Sequence, residues 1–274
     1  MLHTLSDSNE VWGVTLLDNL LYVLRRKRSP QICVYDTQSG RVQRRIRVST
    51  LVAMADMRAC THNCCLYISG YIDKSVHRVS LRDVDVGRPV TKWPVYDEAV
   101  GLSVTDTHSL LVTCDEVRTI KEFTTHGQLL RQIELAQDVV SPWHTIQLSS
   151  GGFVVCHGSI ALPGDLHRVC LIGSDGQLVK SYGGLAGSGS QRMTSPFHLA
   201  VDRNGFVFVV DLNNRRVLLL SPELTYIREV VSSDQLKWDP VRLFLDDDGR
   251  RLCVADNKWD GDRWAAGRVV VFSV

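Results

Sequence analysis

His144 and His198 are the residues most suggestive of chemistry in this chain. They occupy the third place of two matching runs, PWHTIQ and PFHLAV. Histidines at equivalent places can hold a metal through neutral imidazole nitrogens. His157 and His167, in CHGSIALPGDLH, are the residues that could complete such a ligand set. Without a third ligand at a matching place, histidines bound to water or main chain are the simpler account, so neither a metal nor a cofactor is assigned. A second cluster, Cys60-Thr-His62-Asn-Cys64-Cys65, has no partner pair at zinc-finger spacing and runs straight into the apolar segment CLYIS. It reads as a turn followed by buried cysteines. GGLAGSGSQ lacks the strand–loop–helix context of a phosphate loop, and no GxSxG elbow or nucleophile–base pair is present. No catalytic residue is assigned.

The elements that must position these residues repeat six times, opening near residues 11, 51, 99, 142, 196 and 240. The starts are 40, 48, 43, 54 and 44 residues apart, the period of a four-stranded sheet repeated around an axis. The fifth unit spells it out: HLAVD, then FVFVVD, RVLLL and TYIREV, separated by RNG, LNNR and SPEL. No unit can bury both faces of its sheet alone, so the six must stack around one core. The last unit stops after RVVVFSV and lacks its fourth strand. Residues 1–9 are expected to supply it and to remove the exposed sheet edge. The expected fold is an all-β, six-bladed β-propeller occupying residues 1–274 as a single domain. The third place of each inner strand should face the central channel, reading Gly13, Ala53, Gly101, His144, His198 and Arg242.

With strands lettered a to d from the centre outward, the b–c and d–a loops share one face of a propeller. All six tryptophans map there. Trp259 and Trp264 sit in a polar loop with Asp260, Asp262 and Arg263, as contact residues do, whereas Trp12 and Trp143 begin strands and can pack between blades. The chain carries a net charge of +1, unevenly spread. Eight arginines and lysines face one aspartate between residues 25 and 47, among them Arg25, Arg26, Lys27 and Arg28 of the first b–c loop. Arg215, Arg216, Arg242, Lys258, Arg263 and Arg268 are expected on or near the same face, and Asp246, Asp247 and Asp248 on the opposite one. A basic face bearing aromatic residues fits nucleic acid or an acidic protein segment. Several acids fall in the same loops, including Asp115, Glu116, Asp211 and Asp256.

GFVFVVDLNNRRVLLL and RRLCVADNKWDGDRWAAGRVVVF resemble NHL repeats, in which a strand ends in Asp, an Asn-rich turn follows, and Arg-Val opens the next strand. Units one to four depart from that pattern. The sixth unit resembles the closing blade of TRIM-NHL proteins, whose propeller recruits targets for a ubiquitin ligase and in some members binds RNA through a basic face. RING, B-box and coiled-coil segments do not occur in these 274 residues, so the resemblance implies recognition rather than catalysis.

The expectation is a non-enzymatic module binding a protein or peptide through the b–c/d–a face. RNA binding by that face is the alternative, and a metal-dependent lyase or hydrolase at the channel histidines, as in peptide-amidating lyases, the second. The contact residues expected are Arg25, Arg26, Lys27, Arg28, Trp143, His144, His198, Arg215, Arg216, Arg242, Lys258, Trp259, Arg263 and Trp264. No motif that reads DNA sequence occurs. No apolar run is long enough to span a bilayer, and MLHTLSDSNE is not a signal peptide. Eight cysteines, mostly within apolar strand runs, fit a reducing, cytoplasmic setting.

Overall fold

Short runs rich in Val, Ile, Leu and Tyr, punctuated by Gly, Asn and Asp, dictate strands joined by tight turns. A computed structural model describes residues 3–26, 30–82, 90–158, 164–189, 191–246 and 250–274. Strand β1 (His3–Asp7) is followed by blade one, β2 (Val11–Leu17), β3 (Leu20–Arg25), β4 (Gln31–Asp36) and β5 (Val42–Arg47). Blade two is β6 (Met54–Cys60), β7 (Cys65–Gly70), β8 (Ser75–Ser80) and β9 (Val90–Pro94); blade three is β10 (Ala99–Val104), β11 (Leu110–Cys114), β12 (Thr119–Phe123) and β13 (Leu129–Glu134). Blade four is β14 (Pro142–Gln147), β15 (Phe153–His157), β16 (Leu166–Ile172) and β17 (Leu178–Leu185); blade five is β18 (Pro196–Val201), β19 (Val207–Asp211), β20 (Arg216–Leu220) and β21 (Tyr226–Val231). Blade six contains β22 (Asp239–Leu245), β23 (Arg251–Trp259) and β24 (Trp264–Ser273), and β1 is its outer strand. The protein is an all-β propeller of six four-stranded antiparallel sheets. Among the described residues, no helix is long and apolar enough to cross a membrane.

The core lies between blades rather than within them. Leu24 and Ile32 of blade one pack with Met57 and Leu66 of blade two, and Val14 and Val23 with Val254 and Val269 of blade six. Each inner strand carries the same irregularity: its register against strand b shifts near its start, as between Val11 and Gly13, Pro142 and His144, and Pro240 and Arg242. Such a bulge re-aims the following side chain, and here it turns the third residue of each inner strand, the fourth in β22, toward the channel. Two of these places need glycine because neighbouring strands come too close for a Cβ: one on Gly13 would collide with Met57, and one on Gly101 with the backbone of Trp143 and His144.

Ring closure rests on more than the β1–β24 ladder, which runs from His3↔Val271 to Asp7↔Gly267. Arg25 is completely buried at the seam. Its Nη1 donates to the carbonyls of Asn9 (3.1 Å) and Gly267 (3.2 Å), its Nη2 to the Tyr35 hydroxyl (3.3 Å), and its Nε faces Asp7 at 3.7 Å. Asn257 spans the same seam with both amide atoms, accepting from Val11 N–H (2.9 Å) and donating to Val11 C=O (2.8 Å). The expectation that Arg25 contacts a partner is therefore corrected: the sheet ending in Arg25 carries its guanidinium inward to clasp the two ends of the chain.

Arg25→Ala should destabilise the protein by about 3 kcal/mol, because it empties a fully buried site and leaves the Asn9 and Gly267 carbonyls at the seam without their donor. Arg26→Ala should cost about 1 kcal/mol or less, since Arg26 meets Glu10 at 3.6 Å on an exposed surface. Urea denaturation of the two variants separates these outcomes.

Candidate functional site

A ring of residues lines the channel, the third of each inner strand except in β22, where it is the fourth: Gly13, Asp56, Gly101, His144, His198 and Arg242. Ala53 does not belong to it. Strand β6 begins at Met54 and pairs Met54 with Gly70 and Met57 with Ile68, so the channel-facing residue of blade two is Asp56, three places later than the spacing suggests. The sequence carries a signal for this: MADM sets an acid between apolar residues at the start of the strand, where an unpaired carboxylate would be costly.

Asp56 is almost inaccessible to solvent and is fully committed. Its Oδ1 accepts from Met57 N–H (2.8 Å) and its Oδ2 from Leu102 N–H (2.9 Å) of blade three. Arg242 Nε of blade six lies 3.3 Å from Oδ1, and His198 and His144 place their Nε2 atoms 3.5 and 3.7 Å from Oδ2. The guanidinium also donates to Val241 C=O (2.6 Å) and across the channel to Ala55 C=O, and it packs 4.9 Å from the Phe197 ring centre. The two imidazoles stack with centres 3.9 Å apart, and His144 Nε2 donates to Leu102 C=O (2.9 Å). Burial alone would raise the Asp56 pKa, but the neighbouring His198, Arg242 and His144 outweigh it and hold the carboxyl well below the usual range. Burial pushes both histidines the other way, His198 down to about 4 and His144 well below its ordinary value, the latter also opposed by His198. At neutral pH the cluster is an ionised Asp–Arg pair beside two neutral imidazoles.

Asp56, His144 and His198 bring ligand atoms within 4.8 Å of one another. Asp56 is thus the third group that sequence reasoning sought in His157 and His167. Those two are used elsewhere: His157 bonds Val140 C=O (3.1 Å) and accepts from Arg168 (3.2 Å), while His167 accepts from Ser195 N–H (3.0 Å). A divalent ion at the cluster would have to displace Arg242 from Asp56 and break the His144–Leu102 bond. Proton transfer to a substrate would need a path to groups that are 0–2% exposed. The arrangement links five blades at the axis.

The other expected contact residues divide by exposure. His144, His198 and Arg242 are buried, so their assignment to a partner surface is corrected: strand alternation and the bulge send them into the channel. Trp143 is half-buried, donates to Gly158 C=O (3.0 Å) and packs on Phe197. Arg216 is held by Asp211 (2.8 Å), the carbonyls of Ser188 and Arg192, and Glu229, and Arg268 by Asp256 (2.8 Å). These Asp–Arg pairs are the NHL-like residues of units five and six. They latch loops: Asp211 also accepts from Thr194 N–H, and Asp256 from Lys237 and Trp238 N–H. Arg26, Arg215, Lys258, Trp259 and Arg263 are exposed, and Trp264 meets Trp259 edge-on at 5.1 Å. Lys27 and Arg28 lie outside the described residues, as do residues 1 and 2 of the closing segment and Asp247 and Asp248. His62 stacks on His108 at 4.1 Å, and the cysteines around it are free thiols.

Solved propellers superpose on this one along almost their whole length. The virginiamycin B lyase of Staphylococcus aureus, in a catalytically inactive histidine-to-alanine form with quinupristin, covers 98% of this chain with 99% of its own at 10% identity and a TM-score of 0.62. A streptogramin B lyase matches at 12% identity, 98% of each chain and 0.64. Hydrazine synthase of Kuenenia stuttgartiensis matches at 13% identity, 98% of this chain and 96% of that one, with 0.63. At such identities the likeness shows the fold alone. No family model matches the chain, and no curated protein does.

Asp56→Asn should cost about 3–5 kcal/mol by leaving Arg242 buried without its anion, and Asp56→Asn combined with Arg242→Gln should cost less than the sum of the single changes. Chemical denaturation of the double-mutant cycle checks this. The histidines give a further outcome. His198 in the folded chain takes its proton only near pH 4, whereas an unfolded histidine does so near 6.5. Its stabilising contribution is therefore complete above pH 6.5 and lost as pH falls toward 4. Melting temperature against pH should show that fall, and His198→Gln should make it smaller, leaving the part due to His144.

Proposed function

We propose that this propeller is a non-catalytic recognition platform that holds a protein or peptide partner on its b–c/d–a face. The observation that carries the reading is where exposed apolar side chains sit. Among the described residues, large exposed apolar groups outside the outermost strands are Val52, Tyr71, Ile72, Tyr96, Val117 and Trp259, and all six belong to loops or strand ends of that face. Ile72 is 65% and Tyr96 77% exposed. Isolated cases are ordinary, but five gathered over blades two and three are the mark of an interaction surface.

Their loops are tied together. Tyr71 N–H donates to Ala53 C=O (3.1 Å), Val95 and Tyr96 N–H both donate to Lys74 C=O (2.8 and 3.2 Å), and Lys74 Nζ meets Glu116 at 3.2 Å. The Tyr71 hydroxyl bonds Glu98, which together with burial raises its pKa to about 12. Tyr96 takes a left-handed backbone conformation (φ 70°), uncommon for an aromatic residue and one that such a pinned turn can hold. A prearranged surface loses little freedom when it binds.

Charge refines the partner. Glu98 and Asp115 border these apolar groups, with Asp97 paired to Lys121 and Glu116 to Lys74. Burial, then the Glu98 and Glu116 charges, lifts Asp115 to about 6. A partner bringing lysine or arginine beside an apolar side chain relieves that repulsion, whereas an RNA phosphate aggravates it. The sequence expectation of a basic contact centred on the first blade thus gives way to an apolar and acidic one over blades two and three, with the Trp259–Trp264 hairpin of blade six on the same face. The resemblance of units five and six to repeats of target-recruiting propellers supports recognition too.

Selection from a random peptide display library tests this. Enriched peptides should combine a basic residue with an aliphatic or aromatic one. Ile72→Asp and Tyr96→Ser should each weaken binding roughly tenfold, and affinity should fall as pH is lowered through about 6, where Asp115 gains its proton. Peptide binding untouched by both substitutions, or RNA binding with a steep salt dependence that Lys258→Glu with Arg263→Glu abolishes, would replace this reading.

A further inference from the structure

The opposite face, where the a–b turns meet, carries a separate cavity at the mouth of the central channel. It measures about 660 Å³ and is reached below the Asp56 cluster. One layer of the channel forms its upper wall. Residues two places after the Asp56 ring also face inward, because strand side chains alternate. These are Thr15, Arg58, Ser103, Ile146, Ala200 and Phe244, of which all but Thr15 line the cavity. The layer thus contains one cation and no anion.

Arg58 has no hydrogen bond or ion pair among the described residues. Its guanidinium lies over the Phe244 ring, 5.5 Å from the centre. The nearest ionised carboxylate along its own strand, Asp56, is already matched by Arg242 at 3.3 Å and by two backbone N–H groups. With both channel histidines neutral, Asp56, Arg242 and Arg58 together leave one positive charge in the channel without a counter-charge. Burial pushes the Arg58 pKa down, and the Asp56 charge opposes that only in part. Arg58 is only half-buried and lines the cavity, so solvent reaches its guanidinium, and an oxyanion entering there gives it the charged partner that the protein does not supply. At the rim, Asp202 accepts from Asn204 and Phe206 N–H within its own turn, so it is already engaged, while Asp106 is exposed.

We propose that this mouth is a binding site for a small molecule bearing a carboxylate or phosphate group, which Arg58 receives. The planar guanidinium presents paired donors that match an oxyanion, and the cavity holds much more than a bare ion, so the remainder of the ligand lies among Ser103, Thr105 and Gln147. Asp106 at the rim selects against molecules charged negatively along their whole length. The site is independent of the partner surface on the other face.

Calorimetric titration of the whole chain with sodium phosphate and, separately, sodium succinate, at constant ionic strength set with sodium chloride, tests the proposal. At least one of the two should bind saturably in the millimolar range, and which one binds distinguishes a phosphate from a carboxylate ligand. Arg58→Met keeps an apolar stem over Phe244 and should weaken binding at least tenfold while leaving the melting temperature equal or higher. Asp106→Asn should tighten binding two- to threefold. Absence of saturable binding by both anions, unchanged binding by Arg58→Met, or a melting temperature several degrees lower in that variant would overturn the site, the last because Arg58 would then be serving the fold.

Discussion

A single carboxylate ties the ring together. Asp56 accepts backbone hydrogen bonds from its own blade and from blade three, faces the imidazoles of blades four and five, and neutralises the guanidinium of blade six. Blade one contributes no charge at this level because Gly13 leaves no room for a side chain against Met57. A propeller's inner strands converge on an axis where each backbone ladder stays within its own sheet, and apolar packing between sheets has no direction of its own. A buried ion pair surrounded by donors has direction. It fixes how far five blades approach the axis, and the cost of leaving Arg242 or Asp56 alone penalises any other arrangement.

The periphery uses the same device in weaker form. Arg25 and Asn257 clasp the first and last blades, and the pairs Asp211–Arg216 and Asp256–Arg268 fasten the d–a connections of blades five and six to the ends of their b strands. Of the basic run between residues 25 and 47, Arg25 is spent on such a contact, whereas Arg26, Arg41, Arg45 and Arg47 are exposed. The b–c/d–a loops of blades two and three carry Glu98, Asp115 and Glu116 together with the exposed Ile72, Tyr96 and Val117.

The two ends of the channel consequently differ in character. Toward the b–c/d–a face the channel narrows at aromatic residues, Trp12, Trp143 and Phe197, around the Arg242 guanidinium. Toward the a–b turns it widens into a polar cavity. The same six-fold scaffold thus offers a broad platform on one side and a recess on the other. Propellers of very different printed activities share this architecture at 10–13% identity, so side chains on the two faces, and not the blades, decide what is bound.

The number of blades, their strand order and the closing strand were legible in the chain itself, because a period of roughly 40–54 residues and alternation within strands reflect local physics: every sheet needs an apolar face, and its turns need Gly, Asn or Asp. His144, His198 and Arg242 were correctly placed in the channel by the same regularity. Asp56 was not, since the apparent opening of blade two at Leu51 lies three residues before strand β6 begins at Met54; only the pairing of Met54 with Gly70 resolves it. Nor could sequence tell a surface arginine from a clasp. Arg25, Arg26, Lys27 and Arg28 form one run, yet Arg25 is completely buried and Arg26 exposed, because which side chain meets the seam depends on where residues 246 positions apart are brought together. Local sequence determines the strands; the partners of Arg25 are decided by ring closure, a contact between the two ends of the chain that no local pattern encodes.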